Sequence, residues 1–125
     1  MVESNLNKSN DIRQRAYDFS LMVINFTKDF PYKGNYLIFA NQLVRSATSI
    51  GANLVEAKSS SSRKDFARYH EIALRNSNET KYWLSLLKDA KLVDDGKTLP
   101  IIGENEEISR MICASLKTIR KAHKV

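Results

Sequence analysis

Residues 35–58 read NYLIFANQLVRSATSIGANLVEAK. Within this stretch Tyr36, Ala40, Leu43, Ala47, Ile50, Leu54 and Ala57 succeed one another at intervals that alternate between four and three residues. That alternation matches the turn of an α-helix, so all seven side chains fall on one stripe. A half-buried strand would place an apolar residue at every second position, and this stretch does not. The spacing predicts a helix over 35–58 with one buried face.

The same rhythm continues on both sides. Upstream, Ile12, Ala16, Phe19, Val23, Phe26 and Phe30 repeat it and Pro31 closes it, which predicts a helix over 10–29. Downstream, Ser59 to Ser62 break the pattern. Ser62 followed by Asp65 has the form of a capping box, with Asp in the place of Glu, and opens a helix over 62–92. Phe66, Tyr69, Ala73, Asn76, Thr80, Trp83, Leu87 and Ala90 stripe it, and no Gly or Pro interrupts it. At 1.5 Å per residue it would reach about 46 Å. Asp94, Asp95 and Gly96 signal a turn, and Pro100 suits the start of a last helix over 101–122. Ile108, Ile112, Ser115 and Ile119, with Met111 and Leu116 beside them, give that helix its buried face. Residues 1–9 are polar and unpatterned and are expected to fray.

With neither period-two alternation nor an internal repeat, the expected fold is all-α: an antiparallel up-down-up-down four-helix bundle, one domain over 1–125. Its core is expected to hold Phe19, Phe26, Leu43, Ile50, Leu54, Phe66, Ala73, Trp83, Leu87, Ile112 and Ile119. In that topology the N-terminus, the 59–62 connection and the C-terminus share one end. A length of 125 residues and 42% hydrophobic content, with four Gly and two Pro, fit a single core that needs no staples.

The single cysteine, Cys113, cannot form an internal disulfide and is expected to be a small core residue. The opening MVESNLNKSNDIR lacks the apolar run of a signal peptide. The longest aliphatic run, Leu21 to Ile24, falls far short of the roughly 20 residues that span a bilayer. The expected location is the cytoplasm, with no membrane partner. There is no glycine-rich phosphate loop, no paired cysteine spacing, no HExxH, no GxSxG and no Glu-x-x-His. His70 and His123 are expected to be structural or solvated. No catalytic residue, metal ligand or cofactor is therefore expected, and the protein is not expected to be an enzyme.

The segment Arg45 to Glu56 is more unusual. Gly51 in mid-helix costs about 1 kcal/mol relative to Ala, and it sits among Ser46, Ala47, Thr48, Ser49 and Ala52, a patch that lets another helix approach closely. Ser49, Asn53 and Glu56 at i, i+4 and i+7 form a polar strip. Antiparallel pairing across the serine connection brings Arg45 toward Arg75, and so toward Glu71 or Glu79. Arg45, Ser49, Asn53, Glu56 and Glu79 are expected to form a polar network, buried or facing another subunit, that fixes register; a ligand site is the alternative.

The run NQLVRSATSIGANLVEAKSSSSRKDFARYHEIALRNSNETKYWLSLLKDAKLV, residues 41–93, resembles the family of small four-helix-bundle proteins encoded in intervening sequences of bacterial 23S ribosomal RNA genes. The resemblance rests on Arg45-Ser46, Ser49-Ile50, Asn53, Glu56, Asp65-Phe66, Ile72-Ala73, Glu79-Thr80 and Tyr82-Trp83-Leu84 in combination. Many members carry Glu-Gly where this chain has Glu56-Ala57, and a small-Gly-Ser pattern where it has Leu74-Arg75-Asn76; the chain looks like the branch with Gly-Ala-Asn and Asn-Glu-Thr wording. The resemblance implies a ring-like homopentamer without catalytic residues. It also implies an architecture similar to the accessory protein of diversity-generating retroelements, a basic pentamer that engages nucleic acid and a reverse transcriptase.

Twenty basic against fourteen acidic residues give a net charge of +6, which favours polyanionic partners. The topology sorts these charges by end. Lys8, Arg13, Arg15, Lys58, Arg63, Lys64, Arg68, Lys117, Arg120, Lys121 and Lys124 share the end of the 59–62 connection with only Asp11, Asp18, Glu56, Asp65 and Glu71. The opposite end sets Lys28, Lys33, Lys88, Lys91 and Lys97 against Asp29, Asp89, Asp94, Asp95, Glu104, Glu106 and Glu107. Lys117 to Lys124 suit the negative end of the last helix dipole, but Arg63, Lys64 and Arg68 stand at the positive start of theirs, after four serines that could help to hold phosphate. Lys58, Arg63, Lys64, Arg68, Lys117, Arg120, Lys121 and Lys124 are thus the candidate nucleic-acid-binding residues, for RNA or DNA backbone without base readout. The alternative is an oligomeric adaptor for another protein, with the charge serving solubility.

Overall fold

Asp11 opens the first helix: its side chain accepts the Arg13 backbone N–H at 2.9 Å, and its own N–H is received by Ser9 Oγ. The computed structural model describes residues 8–124 and forms four helices, α1 (Ile12–Thr27), α2 (Gly34–Ser59), α3 (Arg63–Asp89) and α4 (Asp95–Lys124), with no strand among the described residues. None of these helices is long and apolar enough to cross a membrane.

The pairs of residues that meet run in opposite senses along neighbouring helices. Phe30 meets Tyr36 and Ala16 meets Gly51 between α1 and α2; Ser46 meets Thr80 between α2 and α3; Ser77 meets Asn105 and Glu71 meets Arg120 between α3 and α4. Helices α1 and α3 each touch α2 and α4 and not each other, the square arrangement of an up-down-up-down bundle. Ala16, Phe19, Val23, Leu43, Ala47, Ile50, Leu54, Ala73, Leu84, Leu87, Ile101, Ile108, Ile112 and Leu116 form the core.

Four side chains expected inside are only half-buried: Phe26, Phe66, Trp83 and Ile119. Phe26 and Phe30 pack edge to face at the end of α1, Phe66 lies in the first turns of α3, and Ile119 belongs to the last turns of α4. Trp83 sits at the margin of the α2–α3 seam beside Phe39, its Nε1–H donating to Glu79. Cys113, expected in the core, is exposed on the outer side of α4.

Helix ends differ from the expected ones for local reasons. Helix α3 stops at Asp89 because Ala90, Lys91 and Leu92 close it: the Leu92 N–H reaches Leu87 O and the Lys91 N–H reaches Lys88 O, with Lys91 in the left-handed region at φ 60. A glycine usually marks such an end, and Lys91 hides it. Helix α4 begins at Asp95, before Pro100, because the Asp94 carbonyl receives the N–H groups of Lys97 and Thr98 and the Thr98 hydroxyl. Pro100 is the sixth residue of the helix and, lacking an N–H, cannot donate to the Gly96 carbonyl.

The departure that matters most for the charges is how little of the bundle α1 spans. With 16 residues against 26, 27 and 30 for the others, it spans about 24 Å, and Ala16 lies level with Gly51 rather than with the end of α2. The described N-terminal residues therefore lie against the middle of α4 and not at the bundle end. Lys8 and Ser9, expected to fray, both make contacts there: Lys8 Nζ is 2.9 Å from Glu104, and the Ser9 carbonyl accepts from Arg15.

Candidate nucleic-acid interface

The α2–α3 turn is built from its serines. The Ser60 N–H and hydroxyl both reach Ala57 O, at 3.1 and 2.6 Å, and the Ser62 hydroxyl accepts the Asp65 N–H at 3.1 Å. Two of the four hydroxyls thus close helix ends. Asp65 places its own carboxylate in the first turn of α3, where the dipole favours an anion. The turn leaves a shallow hollow of about 240 Å³ bordered by Lys58, Ser61, Arg63 and Phe66. Any anion held here depends on the cations around it more than on the helix start.

Those cations are well displayed. Lys58, Arg63, Lys64, Arg68, Lys117, Arg120 and Lys121 are all exposed; the side chain of Lys124 lies outside the described residues, as does that of His123. Arg120 Nη2 meets Glu71 at 2.9 Å, and Arg68 Nε stands 3.7 Å from Asp65 with its guanidinium 4.8 Å above the Tyr69 ring. Both ion pairs are open to water and hold their partners weakly. Lys58, Arg63, Lys64, Lys117 and Lys121 have no carboxylate partner among the described residues. Against these seven cations the same end carries Glu56, Asp65 and Glu71. At the other end Lys28, Lys33, Lys88, Lys91 and Lys97 are nearly balanced by Asp29, Asp89, Asp94 and Asp95, with Lys88 and Asp89 paired at 2.9 Å.

Three of the expected basic-end residues, Lys8, Arg13 and Arg15, lie with the start of α1 and away from that end, Arg13 paired with Asp11 at 3.3 Å. Lys8 and Arg15 meet Glu104 and Glu107, two residues of the expected acidic end, in a cluster between α1 and α4. Arg15 Nε lies 2.9 Å from Glu104 Oε2, its Nη2 lies 3.1 Å from Glu104 Oε1 and 2.6 Å from Glu107 Oε1, and its side chain is 6% exposed. Hydrogen bonds to Glu104 and Glu107 raise Arg15 above its ordinary range and the bond to Glu104 raises Lys8, while Arg15 holds Glu107 below the usual carboxylate range. The short α1 is the reason: its N-terminus reaches only the level of Glu104 and Glu107.

The expected polar network does not form within the chain. Ser49 Oγ donates to Arg45 O at 2.7 Å and Asn53 Nδ2 donates to Ser49 O at 2.9 Å, bonds internal to α2. Arg45 and Glu56 are exposed, and Glu79 receives only Trp83 of its own helix. Arg45 meets neither Glu71, which holds Arg120, nor Glu79, because the α2–α3 register pairs Ser46 with Thr80 and turns Arg45 outward. The buried polar contacts are instead Ser46–Thr80, with the hydroxyls 2.9 Å apart, and Ser77–Asn105, where the Ser77 hydroxyl donates to Asn105 Oδ1 and Asn105 Nδ2 donates to Ser77 O. His70 is buried too, its Nδ1–H donating to Phe66 O. Among the described residues no group of three His, Cys, Asp or Glu side chains is placed to hold a metal ion.

Gly51, expected to admit another helix, admits α1: a Cβ added there would meet Ala16 Cβ at 3.5 Å, an ordinary contact. Sequence reasoning missed Arg15, Glu104, Asn105 and Ser77. Each lies at a stripe position, Arg15 four residues before Phe19 and Glu104 four before Ile108, and that spacing is the signal that marks them as inward-facing.

Comparison with known proteins places this bundle. No curated protein matches the chain. A crystal structure of a protein of unknown function from the S23 ribosomal protein family of Bacteroides thetaiotaomicron VPI-5482 superposes with a TM-score of 0.79 at 30% identity, over 86% of this chain and 99% of that one. The family model of the 23S rRNA-intervening sequence protein matches residues 8–114. That match takes in all of α1, α2 and α3 and two-thirds of α4, and with it the chain belongs to the 23S rRNA-intervening sequence protein family.

Proposed function

We propose that this protein is a non-catalytic, cytoplasmic homo-oligomer, most simply a pentamer, that grips the phosphate backbone of RNA or DNA at the end formed by the α2–α3 turn and the last turns of α4. The observation that carries this is the set of five exposed cations without carboxylate partners, Lys58, Arg63, Lys64, Lys117 and Lys121, with Arg63 and Lys64 placed against the dipole of α3. Structural needs do not account for those two, whereas a phosphate backbone does, since each contact releases a condensed counterion. Base readout is not part of the reading. Tyr69 is half-buried and its ring lies beneath Arg68, so it is not an open stacking platform. The family's tie to 23S rRNA intervening sequences supports RNA as the first polymer to test.

Assembly draws on the outer face of α1. Tyr17, Leu21 and Ile24, at i, i+4 and i+7, are 62%, 47% and 44% exposed, so this helix is apolar on the side away from the core as well as toward it. A ring that used this face would set several copies of the basic end side by side and let one polyanion touch more than one subunit. The same face supports a second reading, in which the partner is another protein and the charge keeps the assembly soluble.

The test is a contrast between ends. Charge reversal at Arg63→Glu/Lys64→Glu should weaken binding to a polynucleotide far more than Lys91→Glu/Lys97→Glu, as measured by gel shift at near-physiological salt. Equal losses, or no binding by the unmodified protein, would remove the nucleic-acid reading and leave the adaptor.

A further inference from the structure

Between α3 and α4, midway along the bundle, a cleft of about 190 Å³ opens to the outside, lined by Ser77, Asn78, Lys81, Asn105, Ser109 and Arg110 and by one carboxylate, that of Glu106. Its floor is polar. Ser77 and Asn105 are 1% and 2% exposed and hold each other by two hydrogen bonds, which leaves the Asn105 amide a second hydrogen with no partner among the described residues. Lys81 from α3 and Arg110 from α4 stand on opposite walls. Both are exposed, and neither makes an ion pair among the described residues, not even with Glu106.

The Ser77 hydroxyl is spent on Asn105 Oδ1, but two unpaired cations with the Ser109 hydroxyl and the second Asn105 amide hydrogen still make the donor set of an oxyanion site: charge from both helices, and neutral donors between them. Its volume equals that of about six liquid waters, which admits one phosphate group with part of its hydration.

The position gives it meaning. On the outer side of α3, Lys64, Arg68 and Arg75 recur at i, i+4 and i+11; on that of α4, Arg110, Lys117 and Lys121 recur at i, i+7 and i+11. All six are exposed. The two rows run along the outward faces of α3 and α4, which the Glu71–Arg120 ion pair bridges between them. They lead from the basic end to the cleft, and Lys64 and Lys81 are separated by about 26 Å of helix. At the 3.4 Å axial spacing of phosphates along one strand of duplex DNA, that length corresponds to about 7.5 phosphates.

We infer that the Lys81–Arg110 cleft takes a backbone phosphate of the bound nucleic acid, so that the strand runs along the α3–α4 groove and is not held at the bundle tip alone. This rests on the nucleic-acid reading above, and the experiment separates the two. Lys81→Gln/Arg110→Gln is compared with Arg63→Glu/Lys64→Glu and with the charge-keeping Lys81→Arg/Arg110→Lys, by fluorescence anisotropy on a labelled single-stranded RNA; pyrophosphate is titrated into isotope-labelled protein by NMR. The expected results are a roughly 3- to 10-fold loss of RNA affinity for Lys81→Gln/Arg110→Gln with the salt slope reduced by about 0.7, the share of one phosphate, near-normal affinity for the charge-keeping pair, and pyrophosphate shifts centred on Ser109 and the Asn105 amide. If Arg63→Glu/Lys64→Glu loses RNA binding while Lys81→Gln/Arg110→Gln does not, and pyrophosphate leaves Ser109 and Asn105 unmoved, the cleft is overturned and the basic-end reading stands. If the unmodified protein binds no RNA or DNA, the basic-end reading falls and takes this one with it.

Discussion

Arg15 is the side chain whose removal should cost this fold most for its size. It lies inside a helical stripe at 6% side-chain exposure, faces Glu104 with two nitrogens at 2.9 and 3.1 Å, and leaves that carboxylate 8% exposed. Arg15→Met keeps the length and apolar stem but strands Glu104 in the α1–α4 seam. Breaking one half of a buried pair costs about 3–5 kcal/mol. The lower end applies here, because Lys8 still reaches Glu104 at 2.9 Å and the more exposed Glu107 can turn to water. About 3 kcal/mol is a large share of a typical stability of about 5–15 kcal/mol, and for a domain of this size it lowers Tm by roughly 10 °C. Replacing both partners, Arg15→Met/Glu104→Met, removes the stranded charge and should restore most of the loss, a coupling of at least about 2 kcal/mol. Urea unfolding of the two single variants and the double at one fixed protein concentration measures it. A cost for Arg15→Met below about 1 kcal/mol, with single effects that simply add, would refute a buried pair.

Three further outcomes follow from local geometry. Gly51→Ala should raise stability by about 0.5–1 kcal/mol, since its Cβ meets Ala16 at an ordinary 3.5 Å and the helix gains propensity, whereas Gly51→Leu should push α1 away and destabilise; thermal melts of the two distinguish this from an intersubunit role. Lys91→Gly should stabilise by up to about 1 kcal/mol, because φ 60 at the end of α3 suits glycine, and an unchanged or lower Tm would count against it. Glu107 is held below its ordinary value of about 4.5 by Arg15, so its contribution is complete above that pH and is lost as the pH falls through the lowered value; Glu107→Gln should flatten the acid limb of a stability-versus-pH curve.

The sequence carries the helices plainly because each stripe is a local pattern: the 4 and 3 spacing from Tyr36 to Ala57 needs no knowledge of the other helices. It carries partners poorly, because partners depend on register. Ser49, Asn53 and Glu56 form a strip on paper, yet pairing Ser46 with Thr80 rotates Arg45 away from both candidate glutamates. Register also decides the charges. Sorting Lys8 and Arg15 to one end and Glu104 and Glu107 to the other assumes helices of equal length, and α1 is shorter by ten residues or more. The exposed cluster around the α2–α3 turn survives that error, since Lys58, Arg63 and Lys64 are fixed by the turn itself and not by the match of distant helices. Cys113 shows the converse: standing one residue past Ile112, about 100° off the stripe through Ile112 and Leu116, is enough to turn an apolar-looking neighbour to the surface.

The most direct measurement of the central proposal is the salt dependence of RNA binding, from about 50 to 200 mM, for the unmodified protein and for Arg63→Glu/Lys64→Glu. Five unpaired cations predict a slope of log affinity against log salt of about −3.5 or steeper on a single strand, flattened by at least about 1.4 in the variant. A slope near zero, or one that the variant leaves unchanged, would contradict a phosphate grip at this end of the bundle.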